Sequence, residues 1–392
     1  MSVNPIPPTT EVAIVGAGPV GMTVAIALAD AGVDFVLLDK ISEGANTSRA
    51  CVVHARTLEV LSEFGISATL IERGEVVDTF VLHDGRHELA ELSFADLPTD
   101  YPFALLVPQE ITEEVLLERL RKVGGEVARP YEVTAVTQDA DGATLTYTDS
   151  TGTTGTLAAH YVVGADGMHS VVREQAGIGF TGSTYPESFV LADIRMTWPE
   201  PRQQVGLHLD PQGVTVVAPL PDPDGMRYRV VATVDEAPEK PDLEHVQQLL
   251  DARGPAGEIT VHELLWSSRF RVHHRVADTY RAGRVFVAGD AAHVHSPAGG
   301  QGMNTGIQDA AVLGRLLSQV LGGQPDTLLD DYESTRRPVA TDVVKLTDRM
   351  TRVATLSPKP ARAVRNTLIG LATRIPAVRR DIAYTLSELG YR

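Results

Sequence analysis

The residues with the clearest chemical meaning lie near the N-terminus, in the run Gly16-Ala17-Gly18-Pro19-Val20-Gly21. Gly16 permits a tight turn, Gly18 lets the backbone approach a pyrophosphate, and Gly21 lets a following helix pack closely on a sheet. The N-terminus of that helix attracts phosphate charge. Asp39 lies 39 − 21 = 18 residues after Gly21, where a carboxylate can accept hydrogen bonds from ribose hydroxyls. The spacing predicts a dinucleotide site.

Two later segments point to the same kind of ligand. The run Tyr161–Gly167 is a predicted strand that enters an Asp166-Gly167 turn, and a second predicted strand, Arg284–Ala288, ends at Gly289-Asp290. Asp290 is placed to accept a hydrogen bond from a sugar-like hydroxyl. Any one of these motifs is compatible with an ordinary turn, but their order along the chain is specific.

A glycine-rich loop, Pro297–Asn304, follows and runs into a predicted helix, Gly302–Leu321. Glycines let backbone N–H groups reach a flat heterocycle, and a helix N-terminus stabilises negative charge that builds up on it. The loop therefore predicts contact with the redox-active ring of a cofactor.

Histidines beside this loop are the candidates for proton transfer. His293 and His295 could accept a proton from a substrate, and the alternative is that they form hydrogen bonds to backbone near the strand end. His273 and His274 are adjacent and would point apart on a strand, and no carboxylate spacing accompanies them. No metal site is predicted, and neither a catalytic triad nor an HExxH motif occurs.

The composition narrows the class of protein. The chain has 392 residues, with 34 Lys+Arg against 51 Asp+Glu, a net charge of −17 that disfavours nucleic acid as a partner. The single cysteine, Cys51, excludes an internal disulfide framework and suits a reducing compartment. The apolar stretch Val12–Leu38 is interrupted by glycines and aspartates, and Met1–Thr10 has no signal-peptide pattern. We expect a cytoplasmic protein without a transmembrane segment.

The elements that must position these residues follow from the apolar pattern. Glu11–Val15, Val20–Ala31 and Phe35–Leu38 predict strand, helix and strand, the unit of a parallel sheet. Further helices are predicted at Ser48–Phe64 and Thr112–Lys122. The region Phe189–Val234 contains alternating or apolar runs separated by Pro-, Asp- and Gly-rich turns, which predicts a separate antiparallel sheet. The runs are Val205–Leu209, Val214–Ala218 and Tyr228–Val234.

With these motifs in place, the sequence resembles the group A FAD-dependent aromatic hydroxylases, which share the p-hydroxybenzoate hydroxylase fold. The resemblance extends from about Glu11 to Pro338, and within that fold it is strongest to the polyketide ring hydroxylases and the tetracycline- and rifamycin-modifying monooxygenases. It is carried by Gly16–Gly21, Ser48-Arg49-Ala50 with Arg56-Thr57-Leu58-Glu59, Gly164–Gly167 and Gly289–Asn304.

The resemblance implies the chemistry. It implies non-covalent FAD, NAD(P)H as co-substrate, and hydroxylation of a phenolic or polyketide-like aromatic molecule by O2 through a flavin C4a-hydroperoxide. One alternative is an FAD-dependent reductase or dehydrogenase of the same fold, and another is a non-catalytic flavin-binding partner protein. A flavin halogenase is disfavoured, because the Trp-x-Trp-x-Ile-Pro segment is missing and Trp198 and Trp266 are the only tryptophans.

The resemblance also implies the site residues. Pro297, Gly299 and Gly300 would lie along the flavin ring where catalysis occurs. Asp39 stands where many relatives have the longer Glu. The implied FAD contacts are Gly16, Gly18, Pro19, Gly21, Asp39, Lys40, Arg49, Gln109, Asp166, Gly289, Asp290, Pro297, Gly300, Gly302, Met303 and Asn304.

Arg49 has a second argument from spacing. In a helix Ser48–Phe64, Arg49 and Arg56 are seven residues apart and lie on one face, where two guanidiniums favour an anion beside them. The resemblance places the FAD pyrophosphate there, and a surface ion pair is the alternative.

The fold expected from the motifs and the resemblance is α/β. It comprises a Rossmann-like FAD-binding domain, an inserted antiparallel β-sheet substrate domain and C-terminal helices. The predicted FAD-binding domain is discontinuous, over residues 1–75, 103–180 and 275–340. The substrate domain takes residues 76–102 and 181–274, and the C-terminal helical segment takes residues 341–392.

Aromatic residues in the predicted substrate domain could line a pocket for a planar molecule. Phe189, Tyr228 and Trp266 are the candidates, although core packing explains each of them equally well. The tail Thr351–Arg392 carries eight Lys/Arg and two Asp/Glu. Its charge suits an anionic membrane surface, or packing against the acidic body or a sister subunit, and we favour the second reading, which allows a homodimer.

Overall fold

The computed structural model describes residues 6–43, 50–85, 87–356 and 358–392, and of residues 185–187 it describes the backbone. Its strands, in chain order, are β1 Thr9–Val15, β2 Phe35–Leu38, β3 Val52–Val53, β4 Glu75–Val77, β5 Thr79–Asp84, β6 His87–Ser93, β7 Ala104–Leu106, β8 Val127–Ala128, β9 Tyr131–Gln138, β10 Ala143–Asp149, β11 Thr154–Gly164, β12 Phe180–Thr197, β13 Gln204–Asp210, β14 Gly213–Pro219, β15 Arg227–Val234, β16 Thr260–Ala277, β17 Arg281–Ala282, β18 Val285–Val287 and β19 His293–Val294. Its α-helices are α1 Pro19–Asp30, α2 Ala55–Glu63, α3 Ser67–Arg73, α4 Gln109–Lys122, α5 Val171–Gln175, α6 Leu243–Arg253, α7 Gly302–Leu321, α8 Asp330–Ala354, α9 Lys359–Ala372 and α10 Pro376–Leu386. The predicted α/β class is confirmed.

The first sheet contains the predicted strand–helix–strand unit and runs β17-β18-β11-β1-β2-β8. Strands β18, β11, β1 and β2 are parallel. In register, Val15 lies opposite both Gly164 and Leu38, and Gly164 lies opposite Val287. The C-terminal ends of these four neighbouring strands therefore lie at one edge of the sheet. Each is followed by one of the predicted motifs. This edge is where open α/β sheets bind their ligands.

Both faces of this sheet are apolar because both are covered. Ile14 and Val163 point into a core shared with α1, α4 and α7, whereas Val15 and Val162 point into a core shared with the hairpin β9–β10. Parallel strands buried on both faces read as continuous apolar runs. That is why Phe35–Leu38 and Arg284–Ala288 were recognisable as strands in the sequence.

The second sheet runs β19-β16-β12-β15-β14-β13-β5-β6. The sequence predicts an antiparallel sheet, and one pairing differs from this prediction. Strands β5 and β13 are parallel, with Gln204–Leu209 alongside Thr79–Asp84. Parallel neighbours need a long connection, and here more than a hundred residues separate the two strands. Strands from both 76–102 and 181–274 belong to this sheet, while the domain boundaries themselves stay a prediction.

The prediction of a helix over Ser48–Phe64 is wrong for its N-terminal part. Helix α2 begins at Ala55, and Val52–Val53 instead form β3, which pairs with Ala104–Leu106. A β-branched pair gains more from this ladder than from helix propagation. The helical spacing argument therefore does not join Arg49 to Arg56, which pairs with Glu59 at 3.0 Å. Arg49 itself lies outside the described residues.

The C-terminal helices differ in how much of their surface they bury. Helix α10 begins at Pro376, the predicted break, and buries Ala383 and Leu386 in a core that also contains residues of α2, β5 and β7. Helix α9 leaves Val364, Leu368 and Leu371 exposed by 59%, 61% and 54%. Within the described ranges, the helices are too short or too polar to cross a membrane.

Candidate active site

The glycine turn at the N-terminus of α1 is built by close backbone contacts. Gly16 has φ of 100°, and a Cβ there would overlap the carbonyl oxygen of Ala165. A Cβ on Gly21 would overlap the carbonyl oxygen of Gly16, so the turn and the helix need both glycines. A Cβ on Gly18, in contrast, would meet nothing within 4 Å. Gly18 thus caps the helix beside open space, as a phosphate-binding turn requires.

Asp39 fixes this turn as well as offering an acceptor. Its Oδ2 accepts a hydrogen bond from the Ala17 N–H at 2.7 Å, and its Oδ1 accepts one from the Ile41 N–H at 2.8 Å. Arg129 lies 3.7 Å from Oδ1 and donates to the carbonyls of Ile41 and Glu43. Sequence reasoning missed Arg129, because nothing near it in the chain marks it. Lys40, the neighbouring candidate, is exposed.

The three glycine and acid motifs meet around the start of α1. A Cβ on Gly16 would lie 2.9 Å from Asp166 Cα, and a Cβ on Gly289 would lie 2.6 Å from the Val20 side chain. Gly289, with φ of 59°, and the exposed Asp290 follow strand β18 after one residue, Ala288. The structure thereby brings together segments that are separated in the sequence by more than a hundred residues.

Asp166 is a largely buried acid at this junction. Burial raises its pKa, although its Oδ2 accepts a hydrogen bond from the Val172 N–H at 3.3 Å. Its buried Oδ1 has no hydrogen-bond partner within the described residues. A buried carboxylate oxygen without a partner is suited to a ligand donor such as a hydroxyl.

The loop Pro297–Asn304 has one open side and one anchored side. Gly299 and Gly300 have φ of 79° and 66°, a region that other residues rarely adopt. Pro297 to Gly300, Gly302 and Met303 are half-buried, whereas Gln301 and Asn304 are fully buried. A planar ring can lie along the open side while polar side chains hold the other side in place.

Asn304 and His54 form the first anchor of this loop. Asn304 Nδ2 donates to the carbonyls of Val52 and Gly300 at 2.8 and 2.7 Å, and its Oδ1 accepts from the His54 N–H at 2.8 Å. His54 Nε2 lies 2.7 Å from the Gly299 carbonyl. Burial lowers the pKa of His54 to about 4, so the neutral ring donates to that carbonyl. The side chain of Asn304, predicted to contact FAD, is engaged with backbone.

The C-terminal segment forms the second anchor. Gln301 Nε2 donates to the carbonyls of Gly299 and Leu386, both at 3.0 Å. Glu388 Oε1 accepts from the Thr305 hydroxyl at 2.9 Å, and its Oε2 accepts from Gln308. Burial raises the pKa of Glu388 to about 8. The anchoring roles of His54, Gln301 and Glu388 were missed in the sequence, since their partners lie up to 250 residues away.

The histidines beside the loop are placed differently from each other. His293 is 1% exposed, and its Nε2 lies 2.7 Å from Asp309 Oδ2, while Arg336 Nε donates to the other oxygen at 2.6 Å. The partner of the His293 Nε2 atom is therefore a carboxylate and not the backbone group that the alternative predicted. His295 is half-buried, and burial lowers its pKa to about 4. His295 also approaches the position of a Gly302 Cβ at 3.7 Å.

The aromatic candidates for substrate binding are mostly packed. Phe189 is 4% exposed and stacks on Phe270 with ring centroids 5.6 Å apart. Tyr228 is also 4% exposed and lies in the core beneath α6, beside Trp198. Trp266 is half-buried. Of the three, Trp266 offers most surface to a ligand.

A buried ion pair, which sequence reasoning also missed, joins the second sheet to the segment before β3. Arg229 is fully buried and donates through Nε and Nη2 to Asp193 at 2.6 and 2.9 Å. Its Nη1 donates to the Ala50 carbonyl at 2.9 Å. Gln109 Oε1 accepts from the Ala50 N–H at 3.4 Å. Gln109 and Arg229 therefore converge on the residue that directly follows Arg49.

Most of the chain is similar to known protein families. A family model described as an FAD binding domain matches residues 9–347. Rifampicin monooxygenase of Streptomyces venezuelae is 36% identical over 366 residues, covering 92% of this chain and 75% of that protein.

Two solved structures have the same architecture. OxyS, the anhydrotetracycline hydroxylase from Streptomyces rimosus, matches with a TM-score of 0.81 at 34% identity, covering 97% of this chain and 76% of its own. The p-nitrophenol 4-monooxygenase PnpA from Pseudomonas putida DLL-E4 matches with a TM-score of 0.87 at 30% identity, covering 97% and 98%. The similarity thus extends over both sheets and the C-terminal helices.

Proposed function

The chain belongs to the FAD-binding family of flavoprotein monooxygenases, and from this we propose that it hydroxylates a phenolic or polyketide-like aromatic compound with NAD(P)H and O2. The observation that carries the proposal is the loop Pro297–Asn304, with its open side and its buried anchors. The named activities of the relatives on rifampicin and anhydrotetracycline support an aromatic polyketide as the substrate class.

The described residues fit FAD. Gly18 leaves room for a pyrophosphate at the start of α1, and Asp166 presents an unpartnered oxygen beside it. Exposed Asp290 is placed for a hydroxyl of the ribityl chain, and Asp39 for the ribose. When bound, FAD supplies electron transfer and the activation of O2. The oxygen-activating step that the resemblance implies stays part of the proposal.

The protein's own contribution is to orient, stabilise and shield. The start of α7 at Gly302 directs backbone N–H groups and the positive end of a helix dipole towards the open side of the loop. The anchors of Gln301 and Asn304 keep that side flat and rigid, which preorganises the donors. The second sheet excludes water and holds the substrate ring. Its half-buried Trp266 stays our candidate for substrate contact.

No catalytic base is assigned to His293. Its ring is buried between Asp309 and Tyr280, and therefore has no exposed edge that could reach a substrate. A phenolic substrate with an acidic hydroxyl can lose its proton to solvent before it is enclosed. Half-buried His295 lies beside Gly302, and because its pKa is lowered to about 4 its neutral ring can accept a hydrogen bond from a substrate hydroxyl.

The deciding experiment is a turnover screen of phenolic natural products, including tetracycline and rifamycin cores. We expect NAD(P)H oxidation that a substrate stimulates, and a product whose mass increases by one oxygen derived from labelled O2. Turnover without O2 would indicate a reductase, and no turnover by FAD-loaded protein would indicate a binding protein. Gly300→Val is a suitable damaged control, because its side chain would strike Val52 while the glycine turn of α1 stays intact.

We also propose a cytoplasmic homodimer. The apolar residues Val364, Leu368 and Leu371 form an exposed stripe on α9, and the basic tail complements the acidic body of a second copy. Light scattering during gel filtration tests the dimer, which Leu368→Glu should convert to a monomer.

A further inference from the structure

A cluster of metal-ligating side chains lies in the second sheet, away from the motifs described above. His83 is on β5, His208 is on β13, and Glu200 precedes β13. One ligand atom from each of the three lies within 4.8 Å of the others. Glu200 Oε1 is 3.4 Å from His83 Nε2, and its Oε2 is 3.6 Å from His208 Nε2.

The fold places these residues together by register. His83 and His208 are direct partners in the parallel pairing of β5 with β13, so their side chains project from the same face. Gly206, two residues before His208, keeps the space open. A Cβ there would lie 2.7 Å from His208 Nε2 and 2.8 Å from Glu200 Oε2. Trp198 packs edge-on against the His208 ring at 5.7 Å.

The polar atoms of the cluster lack ordinary partners. His208 is fully buried, and neither of its ring nitrogens has a hydrogen-bond partner within the described residues. The same holds for His83 Nε2 and Glu200 Oε2. The separations of 3.4 and 3.6 Å exceed the usual N–H···O range of about 2.7–3.2 Å. Three of these atoms, His83 Nε2, Glu200 Oε2 and His208 Nε2, lie close together, and burying them without partners is costly unless a bound species satisfies them.

We propose that His83, Glu200 and His208 bind a divalent transition-metal ion, with Zn²⁺ as the preferred ion. Two imidazoles and one carboxylate are an established zinc donor set, with a fourth position left for water. At zinc–ligand distances of about 2.0–2.1 Å, tetrahedral ligand atoms are about 3.3–3.4 Å apart. The two nitrogen–oxygen separations of the cluster are already 3.4 and 3.6 Å.

The three ligand atoms lie within 4.8 Å of one another, so the imidazole rings must rotate to complete this geometry. The two imidazole rings are stacked, with centroids 4.8 Å apart and 15° between their planes. A tilt of half-buried His83 about its Cβ–Cγ bond would turn its Nε2 towards the ion. The ion would connect β5 to β13, the parallel seam between two sequence-distant parts of the sheet. Binding of the ion should therefore stabilise the pairing of these two strands.

Calorimetric titration of the FAD-loaded protein with ZnCl2 tests the proposal. We expect binding of one Zn²⁺ per chain and a rise in Tm that depends on zinc concentration. Glu200→Gln and His83→Ala should each weaken binding at least about 100-fold, since loss of a ligand exceeds the effect of an outer-shell change. His160→Ala, which removes an exposed histidine from β11, should bind zinc like the wild type.

A spectroscopic probe and a fold control complete the test. Co²⁺ in the same site should give visible absorption typical of tetrahedral coordination, which Glu200→Gln abolishes. The FAD content of each variant reports whether it is folded. Absent binding, or binding that is equal in Glu200→Gln and wild type, overturns the proposal and leaves the cluster as an internal His–Glu ion pair.

Discussion

Two glycine-rich loops lie at the candidate active site, and they are held in place by different means. The turn Gly16–Gly21 is fixed by backbone atoms that surround it, so that a single added methyl at Gly21 has no room. The loop Pro297–Asn304 has more space. A Cβ on Gly299 would find its nearest neighbours, the ends of the Gln301 and Leu386 side chains, at 3.3 and 3.4 Å.

The second loop is held by side chains from distant parts of the chain. His54 and Asn304 join it to β3, while Gln301 joins it to the C-terminal segment at Leu386. The turn Gly16–Gly21 therefore depends on its local strand–turn–helix unit. The loop Pro297–Asn304 depends on tertiary contacts, and its conformation should respond to substitutions far from it in the sequence.

The largest effect is expected at the first loop. Gly21→Ala would place a methyl group on the Gly16 carbonyl oxygen, so α1 must move away from β1. We expect the free energy of unfolding to fall by about 3 kcal/mol or more, and FAD binding to be lost. Urea unfolding and the FAD content of purified protein measure both. Gly18→Ala is the matched control, because it meets nothing within 4 Å and should fold while binding FAD more weakly. Wild-type FAD affinity in Gly21→Ala would refute the local account.

The second prediction concerns the anchor of the other loop, and it gives a pH dependence. The folded pKa of Glu388 is raised from 4.5 to about 8, so the folded state binds the proton more tightly than the unfolded state. The stability that comes from this bound proton is fully present below pH 4.5 and is lost as the pH rises towards 8, roughly 5 kcal/mol in all.

Glu388→Gln tests this dependence. The amide keeps the shape of the side chain but cannot ionise, so it should remove the decline in stability between pH 5 and about pH 8. Urea unfolding at both pH values measures the effect, with Glu236→Gln as an exposed control. Parallel declines in wild type and Glu388→Gln would show that the C-terminal anchor does not carry this charge.

A smaller effect is expected at the strand end between the two loops. Asp290→Ala should weaken FAD binding by about 1–3 kcal/mol, because a ligand hydroxyl would lose a charged acceptor. Titration of the apoprotein with FAD measures it. Asp331→Ala, which removes an exposed acid from α8, is the control. Unchanged affinity would mean that Asp290 serves only the protein's own structure.

The smallest effect is expected for a substitution in the second loop, which can be compared directly with Gly21→Ala in the first. Gly299→Ala should cost about 1 kcal/mol of stability, because φ of 79° is unfavourable for alanine while its neighbours are flexible side-chain ends. Thermal unfolding measures this change beside that of Gly21→Ala. If the two substitutions were equally damaging, the second loop would be as tightly packed as the first, and the distinction between them would fail.

Local sequence determined several secondary-structure elements and the glycine-containing motifs of this protein. The run Phe35–Leu38 and the helix Gly302–Leu321 have the same bounds in the sequence interpretation and in the structure. The motifs at Gly16, Asp166 and Gly289 were also recognisable, because a turn with positive φ between a buried strand and a helix leaves few residue choices. Their family resemblance identified the enzyme class.

Tertiary structure decided what the side chains beside those motifs do. Val52–Val53 became a strand because Ala104–Leu106 was available to pair with it, which moved the start of the helix to Ala55. His293 took Asp309 as its partner, and Glu388 closed over Thr305 and Gln308. His83 and His208 became neighbours only through a parallel pairing. Short-range patterns set the backbone of a segment, whereas the partners of a buried polar group depend on which distant segment the fold packs against it.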